Sequence, residues 1–236
     1  MKVKDSSLLL LHVQMIGGNF GREGCIYFAS RGAYVSALDN NLHSLEETVA
    51  LVQQKVTPST NETSTNTKDC SRIIQTFYCD VSNASSVQEA VDKAVQSFGI
   101  PHLLWNNAGY QGQIRPTLEY SFEDFATVMN INVTGMFIVL QTVAKYMSSE
   151  AIKYISSSTS TSSESSFCSS SRSYAIVNTA SVAALRGTPA MIAYASSKAA
   201  VLAMTVAAAK GMSDLCVHRF KVNKCWKNIL FLFPLL

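Results

Sequence analysis

Apolar segments of two different periods alternate along this chain, and this alternation constrains the fold more than any other feature. Short runs rich in Val, Ile and Leu, typical of buried strands, are followed by longer segments with apolar residues every three to four positions, as in helices. We predict strands over 8–15, 33–39, 73–79, 103–106 and 174–179. We predict helices over 19–31, from the end of the second strand to about 55, and over 84–98, 121–147 and 191–212. Strands separated by helices pair in parallel and are covered on both faces. The predicted fold class is therefore α/β, a doubly wound parallel sheet.

Composition narrows the class of protein. The 236 residues are 47% hydrophobic and 15% charged, which is typical of one globular domain, here residues 1–236. The net charge of +3 is spread along the chain, which argues against a nucleic-acid partner and favours a small molecule. The six cysteines form no C-x-x-C pair or zinc-ligand pattern, so we expect reduced thiols, no metal site and a cytoplasmic location. The apolar tail over 229–236 is much shorter than the roughly 20 residues that span a bilayer, so no membrane partner is expected.

Two segments interrupt the alternation of strands and helices. Residues 57–71 contain 8 Ser or Thr among 15, and residues 148–173 contain 16 among 26. Such segments bury too little apolar surface to offset the entropy of ordering them. We expect both to be low-complexity insertions in surface loops, and a phosphorylated tether is the less favoured alternative.

A glycine-rich turn follows the first predicted strand and begins the first predicted helix. Its residues are Gly17, Gly18, Asn19, Phe20 and Gly21. Backbone N–H groups at such a helix start can receive a pyrophosphate, although glycine-rich turns are also common for purely structural reasons. Asp39 ends the second strand 18 residues after Gly21, where a carboxylate can accept hydrogen bonds from a ribose. Together they favour a dinucleotide site.

Polar residues also follow the later strands. Asp80 and Val81 follow the third strand, and Asn106, Asn107, Ala108 and Gly109 follow the fourth. Open α/β sheets bind ligands at this carboxyl edge, although each group could also be only a turn or a helix cap. Tyr194 and Lys198 lie four positions apart in a predicted helix and therefore on one face. A lysine cation there is expected to lower the pKa of the tyrosine.

Four ordered motifs resemble those of the short-chain dehydrogenase/reductase superfamily. They are Asn-Asn-Ala-Gly at 106–109, Asn-Val-Thr-Gly at 132–135, Asn-Thr-Ala-Ser at 178–181 and Tyr-x-x-x-Lys at 194–198. Ser181 precedes Tyr194 by 13 positions, as in that family, and the resemblance extends from about Leu8 to Asn223. It implies a Rossmann-type fold, an NAD(H) or NADP(H) cofactor, and hydride transfer between a secondary alcohol and a ketone.

The resemblance also implies a role for each site residue. Tyr194 would be the general acid/base, Lys198 would hold the nicotinamide ribose, Ser181 would bind the substrate oxygen, and Asn132 would anchor a water of the proton relay. Asp39 would select NAD over NADP, and Asp80 with Val81 would form the adenine pocket. Asn107, Ala108 and Gly109 would support the cofactor, and the helices over 121–147 and 191–212 would pair subunits into a homo-oligomer.

Two departures from the family pattern leave an alternative open. With its last glycine at Gly21, the turn has Gln14 and Met15 where the family has Thr-Gly, and Asn19 where it has a glycine. With Gly17 and Gly21 at the first two glycines instead, Glu23 stands where the family has the last one. The chain ends 38 residues after Lys198, so by this comparison we expect about six strands, an atypical tail over 224–236, and neither the seventh strand nor the substrate-lid helices. The leading hypothesis is an NAD-dependent oxidoreductase, and the alternative is a weakly active or non-catalytic dinucleotide-binding, dimerising remnant. A Gly-x-Ser-x-Gly hydrolase motif is absent from the sequence.

Overall fold

A computed structural model describes residues 7–11, 20–56, 73–158, 174–212, 223–226 and 229–232. Several predictions lie wholly or partly outside these ranges. They are the end of the first strand over 12–15, the turn residues Gly17, Gly18 and Asn19, the insertion over 57–71, the end of the insertion over 148–173 and part of the tail over 224–236.

The described elements alternate as the sequence predicts, and five strands pair in parallel. The strands are β1 (Ser7–Leu11), β2 (Tyr34–Asp39), β3 (Ile74–Tyr78), β4 (Leu103–Asn106), β5 (Ala175–Thr179), β6 (Asn223–Trp226) and β7 (Ile229–Leu232). The helices are α1 (Phe20–Ala29), α2 (Leu42–Val56), α3 (Ala84–Phe98), α4 (Phe122–Met129), α5 (Met136–Ser158), α6 (Ala183–Arg186) and α7 (Ile192–Gly211). The strand order is β3-β2-β1-β4-β5-β7-β6. Successive strands are added toward one edge of the sheet up to β3 and toward the other edge from β4 onward, so the strand order reverses between β1 and β4. Such sheets bind ligands at this point.

Two apolar layers cover the sheet. Cys25 and Ile26 of α1 pack with Leu45 and Val52 of α2, in one cluster. The other cluster joins α3 and α5 to the inner strands; its members include Val87, Val91, Val139, Val143, Leu104 and Ile176. The predicted α/β, doubly wound architecture is therefore confirmed.

The third helix shows how local sequence sets an element. The side chain of Asn83 accepts hydrogen bonds from the N–H groups of Ser85 and Ser86 and so caps the helix start. Val87, Ala90, Val91 and Ala94 follow at helical spacing and are buried. Gly99 then ends the helix with φ +78°, a conformation that favours glycine. The bounds Ala84–Phe98 match the prediction because all of these signals are local.

The predicted helix over 121–147 differs from the structure in two ways. A π-helical turn, Asn130–Gly135, divides it into α4 and α5. In addition, α5 continues to Ser158, so the first eleven residues of the segment expected to be a loop over 148–173 are helical. Extending an existing helix avoids the cost of nucleation. In addition, residues 150–155 are Glu-Ala-Ile-Lys-Tyr-Ile, so this part of the segment contains no Ser or Thr. Residues 159–173 lie outside the described ranges.

The expected tail also differs. Residues 223–226 and 229–232 form two strands, so the described sheet has seven strands rather than about six. Strand β7 pairs antiparallel with β5, through Asn178 with Leu232 and Thr179 with Phe231, and β6 pairs antiparallel with β7. A short connection permits an antiparallel pair, whereas a parallel one needs a long crossover. The sheet is therefore mixed at this edge.

Two helical stretches are long and apolar enough, by length and composition alone, to cross a bilayer: Phe122–Ser149 and Ile192–Gly211. In this fold both stretches cover one face of the sheet. Of the most apolar 18 residues in each, 44% and 33% are buried. Burial on one side is normal for helices that cover a sheet. It leaves apolar surface on the other side.

Candidate active site

The four predicted catalytic residues come from three elements that meet at the carboxyl edge of the sheet. Ser181 lies two residues beyond β5, Tyr194 and Lys198 share one face of α7, and Asn132 lies in the π-helical turn. All four side chains are buried. A π-helical turn inside a helix is frequently found at functional sites.

Lys198 is fully buried, with a relative exposure of 0%. Its Nζ donates a hydrogen bond of 2.9 Å to the backbone oxygen of Thr179. Burial lowers the pKa of Lys198 to about 8, because removal from water penalises the charged form. The ammonium therefore loses its proton within a pH range in which an exposed lysine remains charged.

Gly109 is the residue that lets Lys198 and Asn132 approach β4. A Cβ built at Gly109 would lie 3.3 Å from Lys198 Nζ and 3.4 Å from Asn132 Oδ1. Contacts this short would require Lys198 or Asn132 to move. The glycine of the Asn-Asn-Ala-Gly motif therefore stands where a side chain would crowd both of these groups.

Tyr194 is buried, and its hydroxyl lies near the side chain of Ser181. Burial raises the pKa of Tyr194, and the neighbouring Ser181 acts in the opposite direction. The expected lowering by Lys198 is wrong for this state of the protein. Lys198 Nζ lies 5.7 Å from the centroid of the Tyr194 ring, and it is bonded to the backbone of Thr179.

Asn132 is held by three hydrogen bonds. Its Oδ1 accepts from the N–H of Tyr110 at 2.7 Å, and its Nδ2 donates to the backbone oxygen of Tyr110 at 2.8 Å and to Ser197 Oγ at 2.9 Å. Ser197 Oγ in turn donates to the backbone oxygen of Tyr194 at 2.8 Å. The sequence analysis missed Tyr110 and Ser197. Ser197 lies three residues after Tyr194, a spacing that places both on one face of a helix, so the sequence could have indicated it. Tyr110 contacts Asn132 through backbone atoms, which leave no signal in the sequence.

Asp39 lies at the end of β2 with its carboxylate buried. Its Oδ1 accepts a hydrogen bond of 2.8 Å from the N–H of Asn41, while Oδ2 has no partner among the described residues. Burial raises the pKa of Asp39 to about 6. A buried acceptor without a donor costs free energy, and the hydroxyls of a ribose would supply donors. This side chain fits the adenosine ribose of a dinucleotide.

The other predicted cofactor residues lie at the same edge, where they also support the structure. Asp80 Oδ1 accepts from the N–H and hydroxyl of Ser82 at 2.9 and 2.7 Å, which closes the turn before α3. Val81 is buried against Gly135, and Ala108 is buried. Thr179 Oγ1 donates to Asn107 Oδ1 at 2.8 Å and links β4 to β5.

Only part of the glycine-rich turn belongs to the described residues. Phe20 and Gly21 are the first two residues of α1, with Phe20 half-buried and Gly21 buried. The helix therefore begins close to the position predicted from the sequence.

Comparison with known proteins agrees with this architecture. The model of the short chain dehydrogenase family matches residues 12–224. Levodione reductase of Leifsonia aquatica is 28% identical over 189 residues, which cover 80% of this chain and 58% of that protein. Short-chain dehydrogenase fogB of Aspergillus ruber is 30% identical over 210 residues, covering 88% of this chain and 69% of that protein.

Solved structures show the same likeness. The crystal structure of NAD+-bound xylitol dehydrogenase has a TM-score of 0.72 at 32% identity, and the match covers 92% of this chain and 69% of that one. The chain spans about 58% of the length of levodione reductase, so it corresponds to only part of that relative. This chain belongs to the short-chain dehydrogenase/reductase family.

Proposed function

We propose that this protein is a nicotinamide-dependent oxidoreductase that interconverts a secondary alcohol and a ketone. The observation that supports this most directly is that the buried Ser181 and Tyr194 lie together at this edge of the sheet, with the fully buried Lys198 on the same helix as Tyr194. Two neighbouring hydroxyls can both point at one substrate oxygen. Burying a lysine is costly, and such groups concentrate at functional sites.

Each side chain has a distinct role in this proposal. Ser181 donates a hydrogen bond to the substrate oxygen and stabilises the charge that develops there. Tyr194 gives a proton to that oxygen in reduction and removes it in oxidation. Tyr194 and Lys198 would also contact the cofactor, with Lys198 at the nicotinamide ribose, and Asn132 would anchor a water of the proton relay.

The cofactor would be held by the residues predicted for it at the carboxyl edge of the sheet and in the glycine-rich turn. They are Asp39, Asp80, Val81, Asn107, Ala108, Gly109, Phe20 and Gly21, together with Gly17, Gly18 and Asn19. When bound, a nicotinamide dinucleotide supplies or accepts the hydride. The unpartnered Oδ2 of Asp39 supports NAD over NADP, because a buried carboxylate accepts ribose hydroxyls and repels a 2′-phosphate. Xylitol dehydrogenase, a structural neighbour, is described as NAD+-bound.

The proposal is tested by titrating purified protein with NADH and then measuring turnover with a panel of ketones. The variant Tyr194→Phe should bind NADH nearly as the parent does but lose turnover by about 10²- to 10⁴-fold, the contribution of one general acid/base. Tyr27→Phe is the matched control, because Tyr27 is exposed on α1 and its hydroxyl is not part of the site.

The results separate the two functions that the sequence leaves open. NADH binding without turnover by the parent would favour the non-catalytic dinucleotide-binding remnant. Equal turnover by Tyr194→Phe and the parent would contradict the assigned mechanism.

We also propose that the protein is a homodimer paired through α5 and α7. A groove of about 500 Å³ lies between these helices, lined in part by Phe137, Leu140, Ala144, Ala208 and Met212. Phe137 is 46% exposed and Val206 is 51% exposed. Helices that leave this much apolar surface uncovered are typical of a subunit contact.

A further inference from the structure

Asp124, on α4, gathers three hydrogen-bond donors from the loop that follows β4. The hydroxyl of Tyr120 donates to Oδ2 at 2.5 Å, the N–H of Gln113 donates to Oδ2 at 2.8 Å, and the hydroxyl of Tyr110 donates to Oδ1 at 3.2 Å. Burial acts to raise the pKa of Asp124, but these hydrogen bonds outweigh it and leave the pKa below its ordinary value. The carboxylate therefore stays ionised and binds its donors as a charged acceptor.

The loop is packed closely onto this carboxylate. Gly112 has φ +73°, and a Cβ built on it would lie 2.8 Å from Asp124 Oδ2 and 2.6 Å from the hydroxyl oxygen of Tyr120. A side chain at Gly112 would require Val128, Tyr120 or Asp124 to move. The chain between Tyr110 and Gln113 thus has little freedom to shift relative to α4.

The same loop holds the amide of Asn132. Two of the three hydrogen bonds of the Asn132 side chain are made with the backbone of Tyr110, at 2.7 and 2.8 Å. The third goes to Ser197. The orientation of Asn132 therefore depends on where the backbone of Tyr110 lies, and Asp124 restrains Tyr110 at its hydroxyl and at the Gln113 N–H three residues further on.

We propose that Asp124 is a positioning residue that fixes Asn132 in the active site through Tyr110. This inference rests on the proposed oxidoreductase function. Asp124 contacts none of Ser181, Tyr194 and Lys198 through a hydrogen bond in the described part of the chain, and its effect is transmitted by the loop over 110–113. Loss of this restraint lets the Asn132 amide turn away from the proton relay while the cofactor residues of β2 and α1 stay in place.

The test compares Asp124→Asn and Tyr110→Phe with Glu123→Gln. The side-chain amide introduced by Asp124→Asn removes the negative charge and replaces one acceptor oxygen by a donor. The remaining hydrogen bonds lose their charge assistance, and a tyrosine hydroxyl that faces the new NH2 can no longer donate to it. Glu123→Gln neutralises the adjacent carboxylate, which is exposed and bonded to Ser121, and leaves the loop contacts intact. It is the matched control for a change of charge on α4.

Two measurements are made on each variant. We expect Asp124→Asn to lower kcat by about 10- to 100-fold, as small misplacements in active sites do, with little change in the KM for NADH. Tyr110→Phe should lower kcat by less, and the double variant should be no worse than Asp124→Asn, because both changes break one path. Amide hydrogen exchange followed by NMR should become faster at Tyr110, whose N–H is bonded to Asn132, and stay at the parental rate in Glu123→Gln.

The proposal is overturned if Asp124→Asn retains both the parental kcat and the parental exchange rate at Tyr110, or if Glu123→Gln produces the same changes. A KM for NADH that rises as much as kcat falls would also overturn it, because that result indicates general loosening of the fold. If Asp124→Asn does not fold, Tyr110→Phe decides by the same criteria. A parent without turnover contradicts the proposed function, and the exchange rate at Tyr110 still decides whether Asp124 holds the contact with Asn132.

Discussion

At the scale of single residues, this protein keeps two charged groups in places that disfavour charge. Burial lowers the pKa of Lys198 to about 8 and raises that of Asp39 to about 6. Among the described residues, neither group forms an ion pair with an opposite charge. Both are predicted to contact a cofactor, so the unliganded protein carries a cost that binding would relieve.

The first residue-scale prediction concerns stability. The pKa of Asp39 is above its unfolded value of 3.8, so between about pH 4 and pH 6 the folded chain holds a proton that the unfolded chain has released. The free energy of unfolding should therefore decrease as pH rises through this range, by at most about 3 kcal/mol. Urea unfolding at pH 4 and pH 7 measures this. Asp39→Asn should remove most of the decrease, and an unchanged slope in that variant would contradict it.

The second concerns cofactor binding. The ionised carboxylate of Asp39 accepts hydrogen bonds from both ribose hydroxyls better than the protonated one. The affinity for NADH should therefore increase as pH rises through about 6 and level off near pH 7. Fluorescence titration at several pH values measures this. Asp39→Asn should flatten the profile and narrow the difference between NADH and NADPH. Better binding of NADPH than NADH by the parent would show that the assigned preference is wrong.

At the scale of elements, the irregular segments carry the site. Asn132 lies in the π-helical turn between α4 and α5, and Asn106 Nδ2 anchors that turn by donating to the backbone oxygen of Met136 at 2.9 Å. The loop over 110–120 is joined to the segment before α7 by the bond from the Arg115 N–H to the Ala190 oxygen, 2.9 Å. Ala190 has φ +63°, which costs an alanine about 1–2 kcal/mol. The segments flanking Ser181 and Tyr194 are thus held by packing rather than by local preference.

Two glycines with similar φ angles make it possible to separate the cost of backbone strain from the cost of close packing in the loop. Gly99 and Gly112 have φ +78° and +73°, but only Gly112 has atoms where a Cβ would lie. Gly99→Ala should cost about 1 kcal/mol from backbone strain alone. Gly112→Ala should cost about 1–3 kcal/mol more, because Val128, Tyr120 and Asp124 must move. Equal costs in denaturant unfolding would mean that the loop yields easily.

At the scale of the whole molecule, the layer formed by α5 and α7 carries an apolar groove between its two helices. Phe137 of α5 lines this groove and is 46% exposed, and Val206 of α7 is 51% exposed. Pairing of two copies would bury this surface. The same surface contributes to the apolar character of these two helical stretches, which are long and apolar enough by length and composition to cross a bilayer.

Subunit pairing is tested by placing a charge on this surface. Phe137→Glu should shift the protein from dimer to monomer in analytical ultracentrifugation, because an unpaired carboxylate at the centre of an apolar contact is costly to bury. Leu42→Glu is the control, since Leu42 is 57% exposed on α2, in the opposite layer. A parent that sediments as a monomer at micromolar concentration would contradict the proposed pairing.

Local sequence determined the element order, the α/β class and the position of Asp39 at the end of its strand, whereas the resemblance to the family motifs indicated Ser181, Tyr194 and Lys198. Periodicity and capping act over a few residues, and the limits of α3 and β4 match the predictions for that reason. Only the tertiary structure decided the rest. Strand β7 pairs antiparallel with β5, the Tyr194 pKa is raised rather than lowered, and Tyr110 holds Asn132 through backbone atoms that every residue type possesses. These three features depend on burial or on contacts between segments distant in the chain. Burial and distant contacts are not encoded in a short stretch of sequence.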